Sequence, residues 1–323
     1  MGARGLVRTL GRRVLTERDF LLSRRARSDV AVFHEFHTPP YGGGNQFLLA
    51  LRGELERRGI EVEANRVSGG THSCLYNSFN FDFRRLERFA RDDVRMVHRV
   101  DGPIGAYRGF DDGTDKRIVE INRFAAATIL QSRYSLDKHR ELGLELRNPV
   151  VIHNTVDPAI FYPAPQRQSG ERLCVITTSW SDNPRKGADV LAWLDEHLDF
   201  GSYELTFAGR TQQAFRNVRV VGPLPSESLA ELLRAHDVFL APSLDDPCSN
   251  ALLEGLACGL PAAFRRSGGH PELVGDAGLG FDEPDEVPGV LARLRDELDQ
   301  RRAAIRVPPL AEVAGRYLDV LRA

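Results

Sequence analysis

The chain has 323 residues, 42% of them hydrophobic and 27% charged, with a formal net charge of −2, so a disordered or fibrous protein is excluded and a soluble globular one expected. No apolar run approaches the roughly 20 residues needed to cross a bilayer, so no transmembrane helix is expected. Cys74, Cys174, Cys248 and Cys258 form no CxxC pair and read as reduced thiols of a cytoplasmic protein, neither a disulfide framework nor a zinc site.

Residues 1–28 carry eight arginines against Glu17 and Asp19, a local charge of +6 that leaves −8 for the rest. Arg12, Arg13 and Arg18 interrupt any stretch that could serve as a secretory core, so export is not expected. On a helix Val7, Leu10, Val14 and Leu21 share a face beside Arg4, Arg8 and Arg12. That pattern suits contact with the inner face of a membrane, or a solvated extension.

From Asp29 the text alternates. Val30–Phe33 reads as a strand, Phe47–Arg58 as a helix with Leu48, Leu51 and Leu55 on one face, and 59–62 as a strand, which is a βαβ beginning. Strands follow at 94–100, 127–130 and 150–152, and helices at 82–90, 116–125 and 135–142. Three prolines between Asn154 and Arg172 mark an interdomain connection, and a second α/β series runs from Leu173. Its strands are expected at 173–177, 204–208, 218–221, 238–241 and 261–264, and its helices at 188–198, 226–235 and 250–258. A helix at 287–305, a Pro308-Pro309 break and an amphipathic helix at 310–321 close the chain. The division is a basic arm 1–28, a first domain 29–160, a second domain 161–308 and a terminal helix 309–323.

Two Rossmann-like halves invite a dinucleotide reading. The first turn, Pro39-Pro-Tyr-Gly-Gly-Gly-Asn45, contains no GxGxxG, and the chain has no P-loop, no GxSxG elbow and no Asp-x-Asp pair. Nicotinamide chemistry and P-loop phosphoryl transfer are therefore disfavoured, and no cofactor or metal is expected. The Asp111-Asp112 pair near Asp115 fits no EF-hand spacing. An acidic body without aromatic interleaving among its basic residues speaks against nucleic acid.

The most informative segment is Ser243-Leu-Asp-Asp-Pro-Cys-Ser-Asn-Ala-Leu-Leu-Glu-Gly-Leu-Ala-Cys-Gly-Leu-Pro261. It follows a buried strand and opens a helix that Ser249 or Asn250 can cap. Its free amides, near Asn250 and Ala251, then face the space above the sheet and suit a phosphate. Glu254 in the first turns and Asp246 on the loop before them can converge on one molecule, and carboxylates beside an anion site make sense if they take sugar hydroxyls.

Here the sequence resembles the retaining glycosyltransferases of family four, with their Glu, seven residues, Glu hallmark. It reads Asp246, seven residues, Glu254, then Gly259-Leu-Pro261. The resemblance extends to Ser267-Gly-Gly-His-Pro-Glu-Leu-Val-Gly-Asp276, Arg185-Lys-Gly187, Pro40-Tyr-Gly-Gly-Gly-Asn45, His98-Arg-Val-Asp-Gly-Pro103, Gln131-Ser-Arg-Tyr-Ser135 and Asn154-Thr-Val-Asp157, covering roughly residues 29 to 285. It implies a GT-B fold: two Rossmann-like α/β/α domains facing across a cleft, with the C-terminal helix returning to the first.

The resemblance implies that Glu254 binds the nucleotide ribose, Asp246 the donor sugar and Lys186 the diphosphate. Gly43, Gly44, Asn45, Ser249, Asn250 and Ala251 would complete the donor site. His98 and Asp101, at a strand end, are placed to touch the transferred sugar or the acceptor hydroxyl. Two departures stand out: Asp246 replaces a glutamate, and Ser179-Trp-Ser181 replaces the Gly-Arg-Leu before the lysine, so the second diphosphate cation must come from elsewhere, with Arg185 and Arg210 as candidates. Local alternatives remain a dipole-favoured acid at Glu254, a satisfied core histidine at His98 and a plain tight turn at Gly42-Gly-Gly44. The implied activity is metal-independent transfer with retention from a nucleoside diphosphate sugar to a saccharide, lipid-linked saccharide or small molecule. The alternative is a sugar-nucleotide-binding scaffold that has lost transfer.

Overall fold

A computed structural model describes residues 28–38, 41–163 and 170–323; the basic arm, apart from Ser28, lies outside the described residues. Two six-stranded sheets, every described pairing parallel, organise the chain. The first comprises β1 (Val30–Phe33), β2 (Val62–Ala64), β3 (Ser73–Asn77), β4 (Arg95–Val100), β5 (Ala127–Leu130) and β6 (Pro149–Val151) in the order 2-1-3-4-5-6. The second comprises β7 (Leu173–Ser179), β8 (Tyr203–Gly209), β9 (Arg219–Val221), β10 (Val238–Ala241), β11 (Ala262–Arg265) and β12 (Gly278–Phe281) in the order 12-11-10-7-8-9. Central strands such as Val-Ala-Val-Phe of β1 and Val-Phe-Leu-Ala of β10 are buried throughout, because helices cover both sheet faces.

Strand order reverses between β1 and β3 in one sheet and between β7 and β10 in the other. Crevices outside the carboxyl ends of such strands are where open α/β sheets take ligands. The loops after β1, β4, β5, β7, β9 and β10, with the end of β8, all reach one cavity of about 320 Å³.

Asp82 caps the helix Phe83–Phe89 by accepting the Arg85 amide, and Ser132 caps Arg133–Glu141 by accepting the Ser135 amide. The chain crosses to the second sheet after β6, and Val156 and Phe161 already pack into the second core. It returns past Pro308-Pro309, where the Thr155 hydroxyl donates to the Pro308 carbonyl at 2.5 Å and ties the two crossings together. The helix Leu310–Arg322 then buries Val313, Ala314, Tyr317, Leu318 and Leu321 against Phe47, Leu48, Leu51 and Leu55 of the first domain. Each large apolar side chain so buried contributes about 1.5–3 kcal/mol.

Three of the departures from expectation stand out. β3 is buried at all five positions although Ser-Cys-Leu-Tyr-Asn carries polar ends that hide a strand. β12, Gly-Leu-Gly-Phe, has little intrinsic strand preference and forms on the edge beside β11. The helix expected at 287–305 is two helices, Val287–Asp296 and Leu298–Ala303, broken at Glu297.

Candidate functional site

Two helices start head to head across the cavity. The 15-residue helix Gly43–Arg57 follows β1 and the helix Asn250–Ala257 follows β10. A Cβ on Gly43 would lie 2.4 Å from Asn250 Nδ2, so only glycine allows this approach. The amides of Gly43, Gly44, Asn250 and Ala251 have no backbone partner among the described residues, and these residues line the cavity. Two positive helix ends therefore converge on one space, an arrangement that favours an anion.

Lys186 stands beside them. Its ammonium donates to Asp246 Oδ2 at 2.7 Å and lies 4.5 Å from the ring centroid of Tyr107 in the first domain. Burial pushes the Asp246 carboxyl upward, but Lys186 and then His270 outweigh it and hold it below the usual carboxylate range. Burial likewise works against the Lys186 charge, and Asp246 and Tyr107 overcome it, so the ammonium stays protonated above its ordinary value. The Asp246 backbone is buttressed by the Ser267-Gly-Gly segment. The Gly269 amide donates to its carbonyl at 2.8 Å, and Gly268, at φ +64°, would place a Cβ 2.2 Å from that oxygen.

Glu254 also lines the cavity, and no group among the described residues hydrogen-bonds or ion-pairs with its carboxylate. Burial alone pushes this carboxyl up to about 8. Such a group is free to take hydroxyls of a ligand that enters the cavity.

The comparisons with known proteins bear on this geometry. Residues 174–298, which supply Lys186, Asp246 and Glu254, match the family model described as Glycosyl transferases group 1. The described residues have the GT-B fold. The chain superposes on a sucrose-phosphate synthase from Thermosynechococcus elongatus with TM-score 0.70 at 14% identity, covering 92% of this chain and 98% of that one. Anabaena HepE in complex with UDP and glucose gives 0.61 at 17% identity over 91% and 96%. The chain is 36% identical over 221 residues to the D-inositol 3-phosphate glycosyltransferase of Corynebacterium jeikeium, 64% of this chain and 48% of that protein. It is 28% identical over 196 residues to a phosphatidylinositol N-acetylglucosaminyltransferase subunit of Arabidopsis thaliana, 55% and 44% of the two lengths. It thus spans less than half the length of these curated relatives.

Within the segment that matches the family model, Ser249 caps the helix by accepting the Leu252 amide at 3.3 Å. It lines the cavity with Lys186, Asp246, Asn250, Ala251 and Glu254, and Gly43, Gly44 and Asp101 line it from the first domain. Four expected residues are placed otherwise.

His98 is a correction. It is fully buried, stacked on Tyr76 at 4.4 Å, with Nε2 donating to the Ser78 carbonyl at 2.8 Å and Nδ1 accepting from Asn122 at 3.1 Å. Burial drives its imidazole down to about 3, and it faces the core because β4 alternates sides and Asp101, past the strand end, takes the cleft. Asn45 is a second correction, because its carboxamide is spent on the amide and carbonyl of His37 at 2.9 and 3.0 Å. Arg185 is a third: it pairs with Asp245, which also accepts the Tyr134 hydroxyl at 2.6 Å, and it is not a cavity residue. Arg210 is exposed and lies 4.0 Å over the ring of Trp180, itself a cavity residue, so it sits at the rim rather than in the site.

Sequence reasoning missed Tyr107 and Trp180, aromatic walls from opposite sheets, and Glu272. The Glu272 carboxylate crosses between domains to accept the amides of Arg133 and Tyr134 at 2.9 and 3.0 Å and pairs with His153 at 2.9 Å. The Gly-Gly-x-x-Glu segment was visible; its partner across the cleft, a helix start 139 residues away, was not.

Proposed function

We infer that the protein transfers a glycosyl group from a nucleoside diphosphate sugar to an acceptor hydroxyl, with retention of configuration and without a required metal. The observation that carries this reading is the pair of facing helix N-termini with Lys186 and Glu254 on one cavity wall. The diphosphate lies between the helix ends and beside Lys186, the ribose hydroxyls donate to Glu254, and the sugar points toward Asp101. Asp246 keeps the Lys186 ammonium charged and fixed. As the sugar–phosphate C–O bond breaks, Lys186 and the helix amides take up the charge developing on the leaving diphosphate. The acceptor oxygen attacks from the same face and its proton passes to that diphosphate, so no protein nucleophile is used.

Support comes from the relatives' names, which specify N-acetylglucosaminyl, mannosyl and inositol phosphate glycosyl transfer, and from the UDP and UDP-glucose complexes of HepE. Retention and metal independence rest on the resemblance of the Asp246-to-Glu254 segment to family four. We place the reaction in the cytoplasm: no helix among the described residues is long and apolar enough to cross a membrane, and the four cysteines are buried free thiols. A thermal-shift screen with UDP, GDP, dTDP and their sugars tests the reading. One nucleotide should stabilise the protein by about 2.7 kcal/mol at 100 times its Kd, and Glu254→Ala should erase that shift. Nucleotide binding with neither transfer nor donor hydrolysis would instead mark a scaffold.

A further inference from the structure

One buried charge has no part in the chemistry above. Arg99, on β4, is fully buried, and a guanidinium withdrawn from water is tolerated only where its donors are matched. Nε donates to the Tyr317 hydroxyl at 3.2 Å, Nη1 to Asn77 at 2.5 Å and to Asp101 Oδ1 at 2.9 Å, and Nη2 to Asn154 Oδ1 at 2.8 Å. Its central carbon lies 4.9 Å over the ring of Phe47.

These bonds close a ring. Asn154 Nδ2 donates to Gln131 Oε1 at 2.7 Å, and Gln131 Nε2 donates to the same Asp101 oxygen that Arg99 holds. Because arginine can only donate, it fixes the orientation of the Asn154 carboxamide, which fixes that of Gln131. Asp101 Oδ1 thus receives two donors, while Oδ2 has no partner among the described residues on a carboxylate that is 30% exposed and lines the cavity. A branch leads out of the ring, since Asn154 Nδ2 also donates to Asn250 Oδ1 at 3.1 Å, the first residue of the donor helix.

Resting on the glycosyl-transfer reading, we propose that Arg99 is the positioning residue for the cleft: it holds Asp101 with one carboxylate oxygen free for a hydroxyl of the transferred sugar or the acceptor. Arg99 reaches no cavity itself and acts through Asp101, and Tyr317 sets its rotamer from the C-terminal helix. Lysine cannot replace it, because one ammonium does not span acceptors on four different residues.

The test is a double-mutant cycle in the full chain, with UDP as the binding probe and UDP-glucose, or the sugar nucleotide selected by the thermal screen, as the turnover probe. Arg99→Lys and Asp101→Asn should each lower kcat about 100-fold with UDP affinity within about twofold of wild type, and the double variant should lose no more. Tyr317→Phe, which keeps the apolar packing, should lower kcat about fivefold at unchanged donor KM. Losses that multiply in the double variant, or that fall on UDP affinity as heavily as on rate, make Arg99 a structural tie and overturn its role. A wild-type chain that binds nucleotide but never turns over overturns it too and leaves nucleotide binding standing. A chain that binds none of the three nucleotides overturns the transfer reading and this role together.

Discussion

The carboxamide of Asn250 occupies the space a side chain on Gly43 would need, so the two domains touch at the point where their helices begin. Gly43→Val must push the helix starts apart. We expect nucleotide affinity to fall at least about tenfold with little change in melting temperature, because the strain falls between domains rather than within either core. Calorimetry with UDP and a small-angle scattering measurement of the radius of gyration would show both effects; unchanged affinity would place the ligand elsewhere.

Glu254 carries a pH signature. Burial pushes its carboxyl up to about 8 in the free protein, and ribose hydroxyls donate more strongly to its ionised form than to the protonated one. Binding must then release a proton below that value, so nucleotide affinity should rise with pH by up to about tenfold per unit and level off above about 8. Glu254→Gln should flatten the profile. The stability sign is opposite: the folded value lies above the ordinary 4.5, so the fold loses stability as pH rises from there through about 8, and the Gln variant escapes that loss.

His98 should behave as a core residue. Its folded value near 3 lies below the ordinary 6.5, so its contribution to stability is intact above 6.5 and is lost as pH falls toward 3. His98→Ala should cost about 2–4 kcal/mol in denaturant titration through the lost packing on Tyr76 and the orphaned Ser78 and Asn122 partners. At temperatures where the variant stays folded, its nucleotide affinity should equal that of wild type. A selective loss of turnover would return His98 to the site.

Lys186→Met strips the buried Asp246 of its partner. Breaking such a pair from one side costs about 3 kcal/mol or more, and the diphosphate loses its nearest cation, so melting temperature and UDP affinity should fall together. Adding Asp246→Asn should restore most of the stability and none of the affinity, read by thermal denaturation beside calorimetry.

What could be read before the fold was known follows from physical range. Periodicity placed β1, β5 and β10 and the helix opened by Asn250, because these are determined by neighbours a few residues apart. The spacing from Asp246 to Glu254 was legible because both lie around one capped helix start. Which side of β4 faces the cleft was not, since that depends on how β3 and β5 pair with it. His98 was therefore the favoured candidate of the two, although Asp101 is the one that reaches the cleft. The ring around Arg99 joins residues from 99 to 154 and reaches Tyr317, separations at which no sequence pattern records a contact. Asn45 and Arg185 looked available because their partners, His37 and Asp245, carry no mark of the pairing.

The helix Leu310–Arg322 completes the hydrophobic core of the domain that precedes it in the chain, and Arg95 donates to its Val320 carbonyl at 2.8 Å. Translation therefore delivers the earlier domain unfinished. Before the ribosome has made this helix, the later domain already has its six strands, whereas the earlier one waits with Phe47, Leu51 and the Arg99 guanidinium uncovered. Nascent chains of this protein should be most exposed to chaperones and proteases at that stage, and the later of the two domains should be the first to become native.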